Sequence, residues 1–485
     1  MRTALSAVAV AALTVVTAVT TRTPGFTPSH RPVLAWWLAA GWVLFGLALL
    51  ALRRVPERRV VPLVLAGSLA VGVAALVGPP NMSTDSARYA WDGIVQDAGT
   101  SPYAYVPADD HLAGLRTDWL FPAPDVAADG TVTCDELRVQ PTTTVPSGAP
   151  LCTALNRPQV PTIYPPVAEA YFAAVRAPVP SGAEYWPLQV SGLLVGLGLT
   201  GALLVGMRRR GMAARWAAVW GWCPFVAEEV VTNSHVDGLG TLLLVLATLA
   251  ATSDLAWLRR GATDRRPLVA GVLLGLATAT KVIPALAAPP LLRRHGWRTA
   301  AAAVVTVALV YVPYVAVSGT GVLGYLSGYL DEEGYDSGAR FALVTLVVPG
   351  TAATVVALLL VAALAVWSWW RADPDRPWLT QVVLIGGTLL VVRPATAWYA
   401  VLLLPFVALS RRWEWLALPV GLQASQMFGD GVVERWAMGA CLAVVVGAAA
   451  WRRWGSGDAP DPDGGVAGSA HPHDTDLTST ARSTA

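Results

Sequence analysis

Apolar residues fall along this chain in long continuous blocks, at about 4–20, 34–52, 60–78, 185–207, 213–231, 238–257, 267–293, 298–316, 351–370, 378–393, 396–410, 413–427 and 433–451. A helix needs roughly 17–25 such residues to cross the hydrocarbon core of a bilayer. The pattern therefore predicts an all-α, polytopic membrane protein with about 13–14 transmembrane segments, counting 267–293 as two short helices broken near Lys281 and Pro284. Polar residues collect in a large loop at 80–183, in a connection at 317–350, in the turn from Glu228 to Asp237 and in a tail after Trp454. That tail has almost no large apolar side chains and cannot bury enough surface to order itself. The expected organisation is an integral membrane body over 1–453 and a disordered cytoplasmic tail over 454–485.

Within the large loop, Ser83 or Thr84 can cap a helix that begins at Asp85 and ends before Gly99 and Pro102, giving a helix over 85–98. Asp85, Arg88, Asp92 and Gln96 form one polar stripe, with Ala87, Ala90, Trp91, Ile94 and Val95 facing the other way. This amphipathic helix is expected to lie half buried along a membrane surface. Asp85, in its first turn, meets the positive end of the helix dipole, which suits an ionised carboxylate able to accept a proton. Surface pairing of Asp85 with Arg88 is the alternative use of the same residues.

Composition agrees with the block pattern: of 485 residues 54% are hydrophobic and 14% charged, and mean hydropathy is +0.51. Charge then sets direction. Arginine pairs and triplets at 53–54, 58–59, 208–210, 259–260, 265–266, 293–294, 411–412 and 452–453 fall on one side if the segments alternate, and short cytoplasmic loops carry such excess. Of 34 Lys and Arg, 23 fall on that side, while loop 80–183 holds 11 acidic residues against 5 Arg. The large loop, the 317–350 connection and the 228–237 turn are thus expected to face outward. The first block reads either as a cleaved signal peptide or as a retained first helix; the alternation comes out with it retained.

Cys134 and Cys152 share the outer loop, an oxidising location, and are expected to form a disulfide. Cys223 and Cys441 sit inside helices as packing residues. Lys281 is the only lysine of the chain and stands, like Arg393, at the outward end of a membrane segment. Cations at that depth, against the charge bias, suit an anionic lipid phosphate, although snorkelling to headgroups would also place them there. His235 and Asp237 stand at the outward start of a helix, after Glu228 and Glu229; Asn233 or Ser234 can cap it. Tyr164 lies in a Pro-broken apolar patch, Pro161 to Phe172, that returns the loop to the membrane. The acidic run Asp331-Glu332-Glu333 with Asp336 reads as a solvated loop, and the triplets Asp373–Asp375 and Asp461–Asp463 sit in a short turn and in the tail. No phosphate loop, dinucleotide fingerprint or zinc motif is present in the sequence, so neither cofactor nor metal is expected.

Five stretches in order, RYAWDGIVQDAGTSPYAYVP after Asp85, NRPQVPTIYPPVAEAYF, SHVDGLGTLLLVLA, GLATATKVIPALAAP and RPATAWYAVLLLPFVAL, resemble the integral-membrane glycosyltransferases of the GT-C superfamily. The likeness is to family 87, the polyprenyl-phosphate-mannose-dependent mannosyltransferases of actinobacteria. It implies a multi-pass protein of the cytoplasmic membrane whose outer face holds the active site. It implies a sugar donor carried on polyprenyl phosphate, a lipid or glycan acceptor, and inversion at the anomeric carbon. Asp85 matches the family's catalytic aspartate, with Asp92 the second candidate. Two extra membrane segments before the loop and an insertion around Cys134 to Cys152 depart from the pattern and bear on the acceptor.

On this reading Asp85 takes the acceptor proton while Lys281 and Arg393 hold the donor phosphate. Trp91, Tyr103 and Tyr105 offer faces for sugar stacking. Arg88, Tyr89, Gln96, Tyr164, His235 and Asp237 complete the expected substrate-binding set. Expected partners are the lipid-linked donor, the acceptor and membrane lipids, with no nucleic acid. A transporter or flippase of lipid-linked sugars is the rival; its usual marks, internal repeats and polar mid-membrane helices, are not evident here.

Overall fold

A computed structural model of the chain describes residues 2–134, 140–142, 145–259, 264–335, 337–338 and 340–455. The tail from 456, with Asp461 to Asp463, lies outside the described residues, as do Arg260 and Asp336. The chain divides into two compact units, Met1–Val445 and Val446–Ala485; of the second, the described part is the end of the last helix.

Two short antiparallel hairpins apart, the described elements are helices, and the protein is an all-α polytopic membrane protein. In chain order they are α1 (Arg2–Arg22), α2 (Arg31–Leu52), α3 (Glu57–Ala74), α4 (Asp85–Asp97), α5 (Pro166–Arg176), α6 (Trp186–Arg209), α7 (Ala218–Gly221), α8 (Pro224–Val226), α9 (Asp237–Ala251), α10 (Arg266–Thr280) and α11 (Ala288–Ser318). After them come α12 (Leu326–Glu332), α13 (Thr351–Arg371), α14 (Trp378–Val392), α15 (Leu404–Ser410), α16 (Ala417–Phe428) and α17 (Gly431–Gly455).

Every apolar block of the sequence becomes helix, but the blocks differ in how. Among the described residues six helical stretches are long and apolar enough to span a membrane: Arg2–Arg22, Pro28–Leu52, Trp186–Arg209, Gly296–Leu323, Thr351–Arg371 and Gly431–Trp454. A seventh is a bent pair, Pro224–Thr232 and Asp237–Ala251, whose halves meet at 116°. The remaining blocks form shorter or interrupted helices. In 213–231, α7 and α8 alternate with a 3₁₀ turn at Ala214–Ala217 and a π turn at Ala227–Thr232. In 267–293, α10 stops at Thr280, Lys281 is extended, and Ile283–Ala287 winds as 3₁₀ before α11. Pro224 and Pro284 each stand near the start of the segment after the break, where a missing N–H costs nothing. Irregular backbone at such depth is tolerated where neighbouring protein satisfies it.

The arginine-rich ends of the helices meet. Arg215 donates to the Arg53 carbonyl at 2.8 Å and pairs with Glu57, Arg210 donates to the Leu249 carbonyl at 3.1 Å, and Arg294 pairs with Asp375 at 2.7 Å. Following α3, α6, α9 and α10 away from these ends leads to Asp85, Asp237 and Lys281. Between lies a core built on Trp220, Trp222, Phe225 and Phe406, all fully buried. Close approach there depends on Gly192, whose absent side chain would lie 2.1 Å from the Val230 carbonyl of the π turn.

The helix α4 differs from the expected surface helix: Asp85 through Val95 are all buried. Its polar stripe faces α5 and the irregular segment 156–164, and its apolar face meets the insertion, with Trp91 edge-on to Phe121 at 4.8 Å. Amphipathicity alone cannot tell a membrane surface from a second protein layer. Cys134 and Cys152 are bonded, with Cα atoms 5.9 Å apart.

Candidate active site

The start of α4 is fastened from three directions. Asn81 donates to the Thr20 and Thr23 carbonyls at 3.0 and 3.2 Å, and the N–H groups of Asn81 and Met82 donate to the Asn233 side chain at 3.1 and 3.2 Å. One turn of chain later Asp85 enters the helix, its N–H donating to Ser83 Oγ at 3.2 Å. Its carboxylate accepts from Asn156 Nδ2 at 2.8 Å on Oδ1 and from Tyr164 Oη at 3.2 Å on Oδ2. Both donors are neutral, and among the described residues Asp85 makes no ion pair. Its residual exposure is 9%.

Tyr89, one turn on, is fully buried, edge-on to Tyr164 at 5.0 Å and stacked on Phe172 at 4.3 Å. Burial, then the Asp85 carboxylate and more distantly that of Asp237, push both tyrosine hydroxyls well above their ordinary value of 10. The pair thus remains neutral, able to donate, and sits within reach of both carboxylates.

Asp92 has a different situation. Arg88 Nε reaches both its oxygens at 3.0 and 3.1 Å, and the same guanidinium donates to the Val160 carbonyl at 3.2 Å. Gln96 donates to the Glu169 carboxylate at 2.9 Å, Thr162 donates to it at 2.7 Å, and Tyr314 donates to Gln96 at 2.8 Å. Burial raises the carboxyl of Asp92 against the pull of Arg88, and burial followed by the charge of Asp92 raises Glu169 well above 4.5. Arg88, Asp92, Gln96 and Glu169 thereby join α4 to α5 and to the segment 157–162.

On the other side of the tyrosine pair, Lys281 Nζ lies 2.6 Å from Asp237 Oδ2 and 4.7 Å from the centre of the Tyr399 ring. The break after Thr280 puts the lysine there, and the bend before Asp237 brings its partner. Tyr399 Oη lies 2.9 Å from Tyr329 Oη on α12, and the Arg157 guanidinium stands 5.5 Å over the Tyr329 ring. Arg157 follows Asn156 directly, so one chain of contacts runs from Asp85 to Asn156 and Arg157, then to Tyr329, Tyr399, Lys281 and Asp237. Arg157 pairs with Glu332 of α12 at 2.5 Å, and both side chains are more than a third exposed.

His235 is buried and stacks on Trp398 at 4.0 Å. Its Nδ1 lies 3.1 Å from the carbonyl and 3.0 Å from the carboxylate of Glu229, leaving Nε2 with no hydrogen-bond partner among the described residues. Arg393 is engaged away from Lys281: it binds Glu434 at 2.7 Å and the Arg340 carbonyl at 3.4 Å, and Arg340 in turn pairs with Glu333. Of the expected stacking aromatics, Trp91 is spent on the insertion core, Tyr103 donates to the Tyr164 carbonyl at 2.5 Å and is buried, and Tyr105 stacks on His111 at 4.8 Å.

Of the four non-glycine residues with positive φ among the described residues, three lie in this region and the fourth, Arg411, follows α15. Arg157, Ser234 and Arg393 have φ of 50°, 57° and 43°, in the left-handed range that costs a side-chain-bearing residue on the order of 1–3 kcal/mol. Sequence reasoning did not single out Asn156, Arg157, Tyr329 or Tyr399. The first two and the last lie inside stretches whose order had already drawn notice, whereas nothing in the sequence around Tyr329 points to it.

No curated protein and no solved structure matches the chain. The model for glycosyltransferase family 87 matches residues 162–394, a segment that contains Tyr164, His235, Asp237, Lys281, Tyr329, Arg393 and nothing of α4. Asp85 reaches that segment through its bond to Tyr164. The match supports a GT-C-type glycosyltransferase and does not favour a transporter.

Proposed function

We propose that this protein transfers a sugar, mannose by its resemblance, from a polyprenyl-phosphate donor to a hydroxyl of a lipid or glycan acceptor. The reaction takes place at the outer face of the cytoplasmic membrane. The observation that carries this reading is the state of Asp85: a nearly buried carboxylate held by two neutral donors, free of an ion pair among the described residues, and linked through Asn156 and its neighbour Arg157 to the tyrosine pair beside Lys281. Of the other carboxylates near it, Asp92, Asp237, Glu332 and Glu333 each face a cation, and Glu169, held by Thr162 and Gln96, is fully enclosed between α4 and α5. An unpaired carboxylate that keeps some exposure is the one free to take a proton.

The acceptor oxygen attacks the anomeric carbon as its proton passes to Asp85, and the bond from that carbon to the phosphate oxygen breaks with its electron pair on the oxygen. Asn156 and Tyr164 hold the carboxylate in place for this attack. Lys281 meets the growing phosphate charge, which is the electrostatic role that often dominates catalysis. Arg393, neutralised by Glu434 of α17, is assigned to joining the end of α14 to α17. Asp92 is assigned to holding α4 through Arg88. An outward site is supported by the clustering of the arginine-rich helix ends at the opposite end of α3, α6, α9 and α10.

Asp85→Asn keeps the size and the two hydrogen-bonding neighbours but removes the base, so transfer in membranes should fall by roughly 10²–10⁴-fold with expression unchanged. Measured with a polyprenyl-phosphate-mannose donor, near-normal turnover in Asp85→Asn would reject this assignment. The same result with a strong loss in Asp92→Asn would move the base to Asp92.

A further inference from the structure

We infer that Arg157 is the second cation of the donor site, binding the lipid-linked phosphate together with Lys281 and exchanging its present partner Glu332 for it. The inference rests on the proposed polyprenyl-phosphate chemistry and names a ligand for the phosphate that the sequence did not suggest.

Four observations bear on it. Arg157 and Lys281 flank one tyrosine pair: the guanidinium lies 5.5 Å over Tyr329, the ammonium 4.7 Å from Tyr399, and the two hydroxyls are 2.9 Å apart. One hydrogen-bonded pair of tyrosines thus connects the two cations, and Asn156, the residue before Arg157, binds Asp85. The backbone of Arg157 is held in the left-handed region at φ 50°, a conformation retained only where the surroundings demand it. Its ion pair is exchangeable, since Arg157 and Glu332 are 35% and 40% exposed and such pairs contribute little. By contrast Arg340 and Arg393 are largely buried against Glu333 and Glu434.

The helix that carries Glu332 is also placed for this exchange. Gly324, at φ 54°, comes so close to the segment after Arg157 that a Cβ there would sit 2.0 Å from the Thr162 carbonyl. That contact holds α12 against the chain that bears Arg157. A sugar phosphodiester carries one negative charge and the departing polyprenyl phosphate gains another. A planar guanidinium can take two of its oxygens at once while Lys281 serves as a point charge. Glu332, released, moves into solvent.

The test uses the full-length protein in nanodiscs and a synthetic polyprenyl monophosphate, the reaction's lipid product, titrated by native mass spectrometry. Arg157→Ala should weaken binding by about tenfold or more, the loss of a charge-assisted contact, and Arg157→Lys should recover part of it. Glu332→Gln breaks the same ion pair but leaves the cation, so it should bind the phosphate as tightly as the parent protein or more tightly. A merely structural ion pair would make Arg157→Ala and Glu332→Gln alike. Equal binding by the parent and Arg157→Ala, or equal weakening by Arg157→Ala and Glu332→Gln, overturns the inference and leaves the proposed function standing. If the parent protein itself does not bind polyprenyl monophosphate, the proposed donor chemistry falls and the inference with it.

Discussion

Single residues on α4 look alike in sequence and act differently in place. Asp85 and Asp92 are both carboxylates on one stripe, yet Asp85 meets two neutral donors and Asp92 a guanidinium 3.0 Å away. The stripe was legible from spacing; the division of labour was not, because Asn156, Tyr164 and Val160 come from segments some 70 residues on. Glu169 shows the consequence for stability. It is fully buried, and its carboxyl is raised well above 4.5, first by burial and then by Asp92. The folded protein therefore keeps a proton that the unfolded chain gives up above about pH 4.5, so the stabilisation present below that pH is lost as pH rises toward the folded value. Thermal unfolding in detergent should show a melting temperature that falls as pH rises above about 4.5, and Glu169→Gln, a neutral isostere, should flatten that slope. An unchanged slope in Glu169→Gln would assign the pH dependence elsewhere.

Among elements, the breaks matter more than the spans. Lys281 reaches Asp237 because α10 ends one residue before it and because the segment before α9 turns through 116°. Pro284 made the first break readable from sequence. The π turn at Ala227–Thr232 has no proline of its own and was not readable, since its shape follows from close packing of Gly192 on Val230. The insertion is the second such element. Its two strand pairs are short, 125–126 with 132–133 and 140–142 with 151–153, and hairpins of that size are marginal alone. The Cys134–Cys152 bond, spanning 18 residues, supplies a constraint of roughly 3 kcal/mol in the chain-entropy account. The double change Cys134→Ser with Cys152→Ser should leave the membrane helices folded and make the insertion cleavable by added protease, read as a defined early fragment. Protease resistance equal to that of the parent protein would show the bond is not needed there.

For the whole molecule, direction across the membrane decides which substrates can reach Asp85. The arginine-rich ends and the Asp85 group occupy opposite ends of the same helices, so one side chain at each end reports the orientation. Cys223 and Cys441 are buried and Cys134 is bonded to Cys152, leaving little background for a thiol reagent. In intact cells a membrane-impermeant maleimide should label Asp129→Cys, on the exposed loop, and should label Arg209→Cys only after the cells are opened. The reverse pattern would place the candidate site in the cytoplasm and remove a lipid-linked donor of the outer leaflet.

What the sequence determined by itself was the list of apolar blocks, their helical nature, the side on which arginine accumulates, and the start of α4 at Asp85. Each depends on residues near one another in the chain: span length on hydrocarbon thickness, helix starts on caps, side on local charge. What only the tertiary structure decided was burial and partnership. It turned α4 from a surface helix into a packed one, gave Arg393 to Glu434, and joined Asn156 to Asp85, Arg157 to Tyr329 and Tyr399 to Lys281. Those pairings join positions up to some 170 residues apart, and no local pattern encodes them, because an unpaired polar group in the apolar interior is costly and any chain segment that folds within reach can satisfy it.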